Sequence, residues 1–317
     1  MIADIADLIL KSGRSGVELA LFVLLPVMIV MLTTMRLLEG WGVLDRMVAM
    51  VAPLLRPFGL PGLGVFAMLQ VTFVSFAAPV ATLALMDKGG ASRRHIAATF
   101  AMVLAMAQAN VTFPMAALNL DLGLTLIASL IGGLIAAFST YHIFARALPE
   151  RDDCTPLTAP HTRGDSTKGL VKIINAAGTE AFKISIGALP MLVIALVFVN
   201  ALRQSGGVEV IGAALSPLLQ TLDLPAETAL LAVTKFIAGG TAMMGVAVDL
   251  MDEGRLSIYV FNRLSGFLIH PYDVAGVAIL ITAGSRVAEV VKPALLGAAI
   301  GILVRSLIHG LVYSHHI

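Results

Sequence analysis

Residues 52–62 read APLLRPFGLPG, and residues 216–226 read SPLLQTLDLPA. The match keeps one register over a longer stretch. Pro26, Pro53 and Pro61 lie 164 residues before Pro190, Pro217 and Pro225 (190 − 26 = 217 − 53 = 225 − 61 = 164). A second pair, LMDKGGAS over Leu85 to Ser92 and LMDEGRLS over Leu250 to Ser257, returns at a shift of 165 (250 − 85). The chain is an internal duplication, and what kind of duplication follows from its solvent.

Of 317 residues, 58% are apolar and 13% charged, with a mean hydropathy of +0.93. Several apolar runs approach the ~20 residues that span a bilayer. One such run could be a soluble core helix; this many together place the chain in the lipid bilayer, as a multi-pass protein expected in the bacterial inner (cytoplasmic) membrane. A net charge of +1 without a basic cluster makes nucleic acid an unexpected partner. Cys154 stands alone, which excludes an internal disulfide and a cysteine-based metal centre. Asp4 and Asp7 precede Lys11 and Arg14 with no small-residue cleavage site, unlike a secretory signal. Residues 2–11 suit a short helix on the membrane surface.

In the first copy, 17–37 is an apolar span, 43–58 an amphipathic interfacial helix carrying Asp45 and Arg46, and 63–86 an apolar segment interrupted at SFAAP (Ser75 to Pro79). Spans follow at 95–117 and 122–146. Residues 147–170 form a polar cytoplasmic linker, dividing the chain into an N-terminal repeat (1–146) and a C-terminal repeat (171–317). The second copy gives a span at 184–202, an interfacial helix at 208–222, a segment at 228–250 interrupted at AGGT (Ala238 to Thr241), a polar-interrupted span at 256–281 and a last span at 290–313.

Charge decides whether the interrupted segments cross. Arg36, Arg46 and Arg56 precede the first; Lys88, Arg93 and Arg94 follow it. A full crossing would put one basic cluster outside, against the positive-inside bias. A re-entrant hairpin keeps both inside, with the linker residues Arg151, Arg163, Lys168 and Lys172. In the second copy Glu209, Asp223, Glu227, Asp252 and Glu253 outweigh Arg203 and Arg255, so those loops belong outside. Three crossings per copy then invert the second copy. The predicted fold is an all-α polytopic membrane protein of two inverted-topology repeats. Each has three transmembrane helices, an interfacial helix and a re-entrant helical hairpin, and both termini are outside.

Backbone that leaves helical geometry at membrane depth must be buried in protein or line a watery cavity. Two hairpins entering from opposite faces bring their tips together near the midplane, where helix ends offer free N–H groups and carbonyls. The candidate substrate residues are therefore Gln70, Thr72 and Ser75, with Thr82 nearby, in the first hairpin. In the second they are Thr234, Lys235, Gly239, Gly240 and Thr241. Lys235 stands where the first copy has Phe73; burying it costs roughly 2.5–3.5 kcal/mol on insertion scales. It either holds a ligand or coupling ion, or forms a structural ion pair with Asp249 or Asp273. Gln108, Asn110 and Thr112 in the first copy and Asn262 in the second add hydrogen-bonding groups, and could equally repair backbone near Pro114. His270 and Asp273, beside Pro271, form a titratable pair suited to proton coupling, the alternative being a loop histidine near the inner surface. Arg263 is assigned to coupling or gating. Glu289 and Lys292 are spaced to pair with each other, and Gly297 to Gly301 (GAAIG) to pack helices.

HExxH, GxGD and GxSG motifs are absent, as is a nucleotide-hydrolysing P-loop, so neither an enzyme nor a cofactor or metal site is expected. TKFIAGGTAMMG (Thr234 to Gly245), GFLIHPYDVAGVAIL (Gly266 to Leu280) and the duplicated PLL…LP segments resemble the nucleoside recognition, or Gate-domain, membrane proteins. Relatives there include concentrative nucleoside transporters, the membrane part of FeoB-type iron permeases and sporulation-maturation proteins. The resemblance implies two facing Gate units in inverted orientation and a homo-oligomer. The FeoB-type GTPase domain is absent, as is the Asn-Glu pair that accompanies a similarly placed lysine in nucleoside transporters.

These features predict a secondary membrane transporter, a symporter with alternating access between inverted repeats. Its substrate would be a small polar or anionic solute, nucleoside-like or an organic anion, coupled to Na+ or H+. Two alternatives stay open: a flippase for a phosphate-bearing lipid carrier, and a non-transporting membrane partner subunit.

Overall fold

The computed structural model describes residues 2–148, 169–207, 210, 213–214, 219–220 and 224–314, and every regular element among them is helical. Helix α1 (Ile2–Glu18) passes through a π-helical stretch, Leu19–Leu24, into α2 (Leu25–Gly40). The helix expected over 2–11 is continuous with the first span, which starts at Ala6. No proline separates the two, and Asn200 Nδ2 donates to Ser12 Oγ at 3.0 Å, drawing the extension onto the bundle.

Helix α3 (Val43–Leu55) is the predicted interfacial helix, and the chain bends by 106° between Arg46–Phe58 and α4 (Gly62–Phe73). Gly59 makes the turn at φ +77, where a Cβ would lie 2.2 Å from the Tyr141 ring. Helices α4 and α5 (Pro79–Lys88) pack on each other as the first hairpin. Its two ends share a face: His142 Nε2 meets the Pro57 carbonyl at 2.8 Å just before α4, and Arg94 Nε donates to the Tyr141 carbonyl at 2.7 Å just after α5. Next come α6 (Arg93–Ala105), α7 (Ala109–Ala116) and α8 (Leu122–Ser139). Ser92 caps α6 through the His95 N–H, and Asp121 caps α8 through the Leu124 N–H.

The second copy begins with α9 (Leu170–Gln204). Its hairpin is α10 (Glu227–Ala238) and α11 (Gly240–Asp252), and Arg255 Nη2 to Glu227 Oε1 at 3.2 Å ties the two ends to one face. Helices α12 (Ile258–Leu268), α13 (Val274–Ile281), α14 (Ser285–Glu289) and α15 (Val291–Val312) complete it. Most of the linker over 147–170 and of the interfacial helix expected over 208–222 lies outside the described residues.

Among the described residues, five segments are long and apolar enough to cross a membrane: Ala6–Gly40, Arg93–Ala116, Leu122–Phe144, Leu170–Leu202 and Val291–Val312. The divided helix α12–α13 is not among these five, but it too runs from one face to the other, from Tyr259 beside Tyr313 to the chain just before Arg286 beside Asp87. Polar contacts mark the two faces. One, termed inner after the basic excess expected of its loops and the opposite one outer, carries the Arg36–Glu180 pair, Arg93 Nε to Glu289 Oε2 at 2.8 Å and the Arg286 N–H to Asp87 Oδ1 at 3.2 Å. The other carries Ser12–Asn200, Glu227–Arg255 and Tyr313 to Asp121. By these contacts the described helices of the second copy run opposite to their equivalents in the first, as the charge distribution predicts. Glu289 pairs with Arg93 rather than Lys292, because helix geometry is interrupted at Val290 and the expected three-residue spacing no longer shares one face.

The apolar window of α6–α7 is 94% buried, against 20–44% for the other spans, so this divided helix is the centre of the molecule. Lipid tails give no hydrophobic drive for helix association, so small residues and close packing hold the bundle together. A Cβ on Gly301 would lie 2.3 Å from the Gly132 carbonyl, and one on Gly297 would lie 1.8 Å from Thr140 Oγ1. The GAAIG segment is the seam between α15 and α8.

Candidate functional site

Both central helices are broken at the same depth. In the first copy, α6 ends at Ala105 and α7 starts at Ala109, with Met106 and Gln108 extended. Ser129 Oγ accepts from the Ala107 N–H at 2.7 Å, and Thr112 Oγ1 donates to the Gln108 carbonyl at 2.9 Å. These side chains replace lost helix bonds, which is what lets an interruption persist away from water. The break therefore lies at residues 106–108, and Pro114 sits inside α7. In the second copy Pro271 lacks an N–H, and Asp273 Oδ1 caps α13 by accepting from the Gly276 N–H at 2.7 Å. His270, fully buried between the two halves, accepts at Nδ1 from the Tyr272 N–H at 3.1 Å.

The second hairpin turns on Gly239 alone, at φ +91, a conformation that favours glycine. Its tip meets the first copy's break. A Cβ on Gly240 would lie 1.8 Å from Gln108 Nε2, so only glycine lets the amide approach. Asn110 Nδ2 donates to Thr241 Oγ1 at 3.1 Å. From the same hairpin Lys235 forms an ion pair with Asp273 Oδ2, both side chains being buried. Of the two carboxylates the sequence offers Lys235, the structure selects the one at the second break.

Lys235, Gly239, Gly240, Thr241, Gln108, Asn110, His270 and Asp273 thus converge where the second hairpin meets the two breaks; Thr234 precedes Lys235 on α10, and Thr112 braces Gln108. Four of these residues keep a shielded polar atom without a hydrogen-bond partner: Gln108 Nε2, Asn110 Oδ1, Thr234 Oγ1 and His270 Nε2. Each such atom costs on the order of 1–3 kcal/mol if nothing satisfies it.

Gln70, Thr72 and Ser75 lie on the first hairpin. Thr82 Oγ1 donates to Gln70 Oε1 at 2.6 Å across its arms, Thr72 Oγ1 donates back to the Met68 carbonyl at 2.8 Å, and Ser75 is buried at the tip. This hairpin touches α7 through the stacked rings of Phe73 and Phe113, 6.4 Å apart. Beside it a cavity of about 900 Å³ runs from Val74 and Ala78 at the tip, past Gln70, to Arg36, Glu180 and Lys88 at the inner face. The corresponding outer space is filled: Leu192 and Leu196 of α9 pack with Leu230, Met243 and Met244 of the second hairpin.

Two candidates stand apart. Asn262 accepts from the Asp121 N–H at 2.7 Å and donates to the Asn119 carbonyl at 3.2 Å, clamping the short loop at the outer face. Arg263 follows it on the outer part of α12, half-buried and away from the break. Among the described residues, no three His, Cys, Asp or Glu side chains form a group that could hold a metal ion.

Arg305 was not among the sequence candidates and belongs to this level of the fold. It is fully buried on α15, its Nη1 donating to the Ala105 carbonyl at 2.5 Å and its Nη2 to the Ile269 carbonyl at 2.9 Å. The signal was present, since an arginine deep in an apolar span is a functional candidate by cost alone.

No family model matches the sequence. Spore maturation protein B of Bacillus subtilis is 26% identical over 140 residues, which cover 43% of this chain and 78% of that protein. Among solved structures, CNTnw, a concentrative nucleoside transporter, in an inward-facing substrate-bound state superposes with a TM-score of 0.69 at 16% identity, over 98% of this chain and 84% of that one. A substituted CNTnw in an outward-facing state gives a TM-score of 0.68 at 16% identity, over 99% and 85%. Likeness at this level across nearly the whole chain makes this a polytopic membrane protein with the concentrative nucleoside transporter fold.

Proposed function

We propose that the protein is a secondary transporter of a small, polar, nucleoside-like solute, working by alternating access between its inverted repeats and coupled to a Na+ or H+ gradient. The observation that carries this reading is the group of shielded, partnerless polar atoms on Gln108, Asn110, Thr234 and His270, gathered where the second hairpin meets both helix breaks. In a bilayer interior such atoms are expensive, and a bound solute rich in donors and acceptors would satisfy them. The Lys235–Asp273 pair neutralises the lysine, which favours a neutral polar solute over an organic anion. The filled outer side and the cavity beside the first hairpin support a conformation open to the inner face. Alternating access would close that cavity and open its outer counterpart.

The membrane would be the bacterial inner membrane and the working form a homo-oligomer. The test is a melting-temperature screen of purified protein against nucleosides, nucleobases, phosphates, organic acids and divalent metals, followed by uptake in proteoliposomes with imposed Na+ or H+ gradients. A nucleoside or nucleobase should raise the melting temperature and be taken up, and Gln108→Ala should abolish both effects. Stabilisation by phosphates or metals alone, or a hit undisturbed by Gln108→Ala, would overturn the reading.

A further inference from the structure

We infer that Arg305 is a positioning residue, a tethered cation that clasps the ends of both broken helices and occupies the place a diffusible cation would otherwise take there. The two carbonyls it binds, of Ala105 and Ile269, terminate the first halves of the two divided helices. One side chain therefore binds the end of a divided helix from each repeat. Arg305 itself has no basic counterpart in the first copy, because the positions 164 and 165 residues earlier are Tyr141 and Thr140.

Helix C-termini expose carbonyls that lack intrahelical partners and together carry roughly half a negative charge each. Two of them facing one guanidinium roughly balance its charge without a carboxylate, and among the described residues Arg305 forms no ion pair. Asp273, buried nearby, is already committed to Lys235 and the Gly276 N–H. The planar fork of arginine can donate to two carbonyls on different helices at once, whereas lysine is a compact point charge. The surroundings are shaped for this residue. A Cβ on Gly132 would lie 2.3 Å from Arg305 Cγ, and one on Gly266 would lie 2.5 Å from the Arg305 carbonyl, so both neighbouring helices leave room for it. Gln108 and His270 lie immediately beyond the two clasped ends, so Arg305 sets their relative position without touching a solute. This inference concerns the helix ends and stands whether or not the protein transports.

The experiment compares the wild type with Arg305→Gln and Arg305→Lys in detergent. Melting temperatures are measured in sodium chloride, in potassium chloride and in N-methylglucamine chloride at equal ionic strength. Both variants should melt below the wild type. Removing the charge leaves two bare carbonyl ends, so Arg305→Gln should gain a stabilisation by sodium or potassium of roughly 3 °C beyond any wild-type response. Arg305→Lys keeps the charge and should show no such gain. Equal cation responses in the three proteins, or a gain in the lysine variant as large as in the glutamine variant, would overturn the inference. If Arg305→Gln does not accumulate, Arg305→Met serves as the neutral variant, and the lysine comparison is read in the same way.

Discussion

Lys235 on the second hairpin is ion-paired with Asp273 at the break of the following divided helix, and both side chains are buried. The pair locks a hairpin to the element whose capping it shares, since the second oxygen of Asp273 accepts from the Gly276 N–H. Removing one partner of a buried pair strands the other, at about 3–5 kcal/mol, whereas removing both charges costs much less. Lys235→Ala should therefore lower the melting temperature strongly and abolish ligand stabilisation, while Lys235→Arg keeps part of both. Lys235→Met combined with Asp273→Asn, which retains a capping oxygen, should recover most of the stability. Thermal unfolding of the four proteins, with and without the hit from the solute screen, checks this.

Gly240 and Gln108 touch across the repeats. Gly240→Ala places a methyl group 1.8 Å from Gln108 Nε2, so the amide must leave its position. We expect a loss of about 1–3 kcal/mol from overpacking together with loss of the ligand-induced melting shift. Adding Gln108→Ala should restore stability but not the shift. A double-mutant cycle in thermal unfolding measures this, and additive effects would separate the two residues.

The seam between α8 and α15 should tolerate no added carbon. Gly301→Ala would bring a methyl group to within 2.3 Å of the backbone carbonyl of Gly132, which cannot swing away. A destabilisation of about 1–3 kcal/mol or more is expected. Gly310→Ala, with nothing within 4 Å of its added carbon, is the control and should be neutral.

At the outer face, just beyond α15, the Tyr313 hydroxyl donates to Asp121 Oδ2 at 3.1 Å. Desolvation, then this hydrogen bond, then the charge of Asp121, push its pKa up to about 12. The folded protein thus holds the phenol proton more tightly than the unfolded chain, where the pKa is 10.0. The contribution is complete below pH 10 and is lost as pH rises from about 10 towards 12. Tyr313→Phe should lower stability near neutral pH and show a shallower decline over that alkaline window. The difference between the two melting profiles isolates the group from the lysines that titrate alongside it.

The architecture was legible because its punctuation is chemical. Repeated prolines, the SFAAP and AGGT interruptions and the sign of the loop charges all act locally, and the hairpins and their inversion follow from them. The break at residues 106–108 was not legible in the same way. No glycine or proline lies within Met106 to Gln108; the interruption persists because Ser129 and Arg305, distant in sequence, take up the freed backbone groups. Glu289 escaped for a similar reason, its helix being interrupted before Lys292 could share a face with it. Asn262 carried the right chemistry, yet its amide serves the loop at Asn119 and Asp121. Side-chain type marks what can bond; only the fold decides which groups are left waiting for a ligand.

The most direct test of the whole account is the sidedness of the two hairpins. With Cys154 replaced by serine, single cysteines at Gly40, Lys88, Ala226 and Asp252 probe the exposed ends of the two hairpin units. An impermeant maleimide applied to sealed, right-side-out vesicles should label positions 226 and 252 at once, and positions 40 and 88 only after permeabilisation. Labelling of 40 and 88 from opposite faces, or of all four positions from one face, would contradict the inverted re-entrant arrangement and dissolve the site built on it.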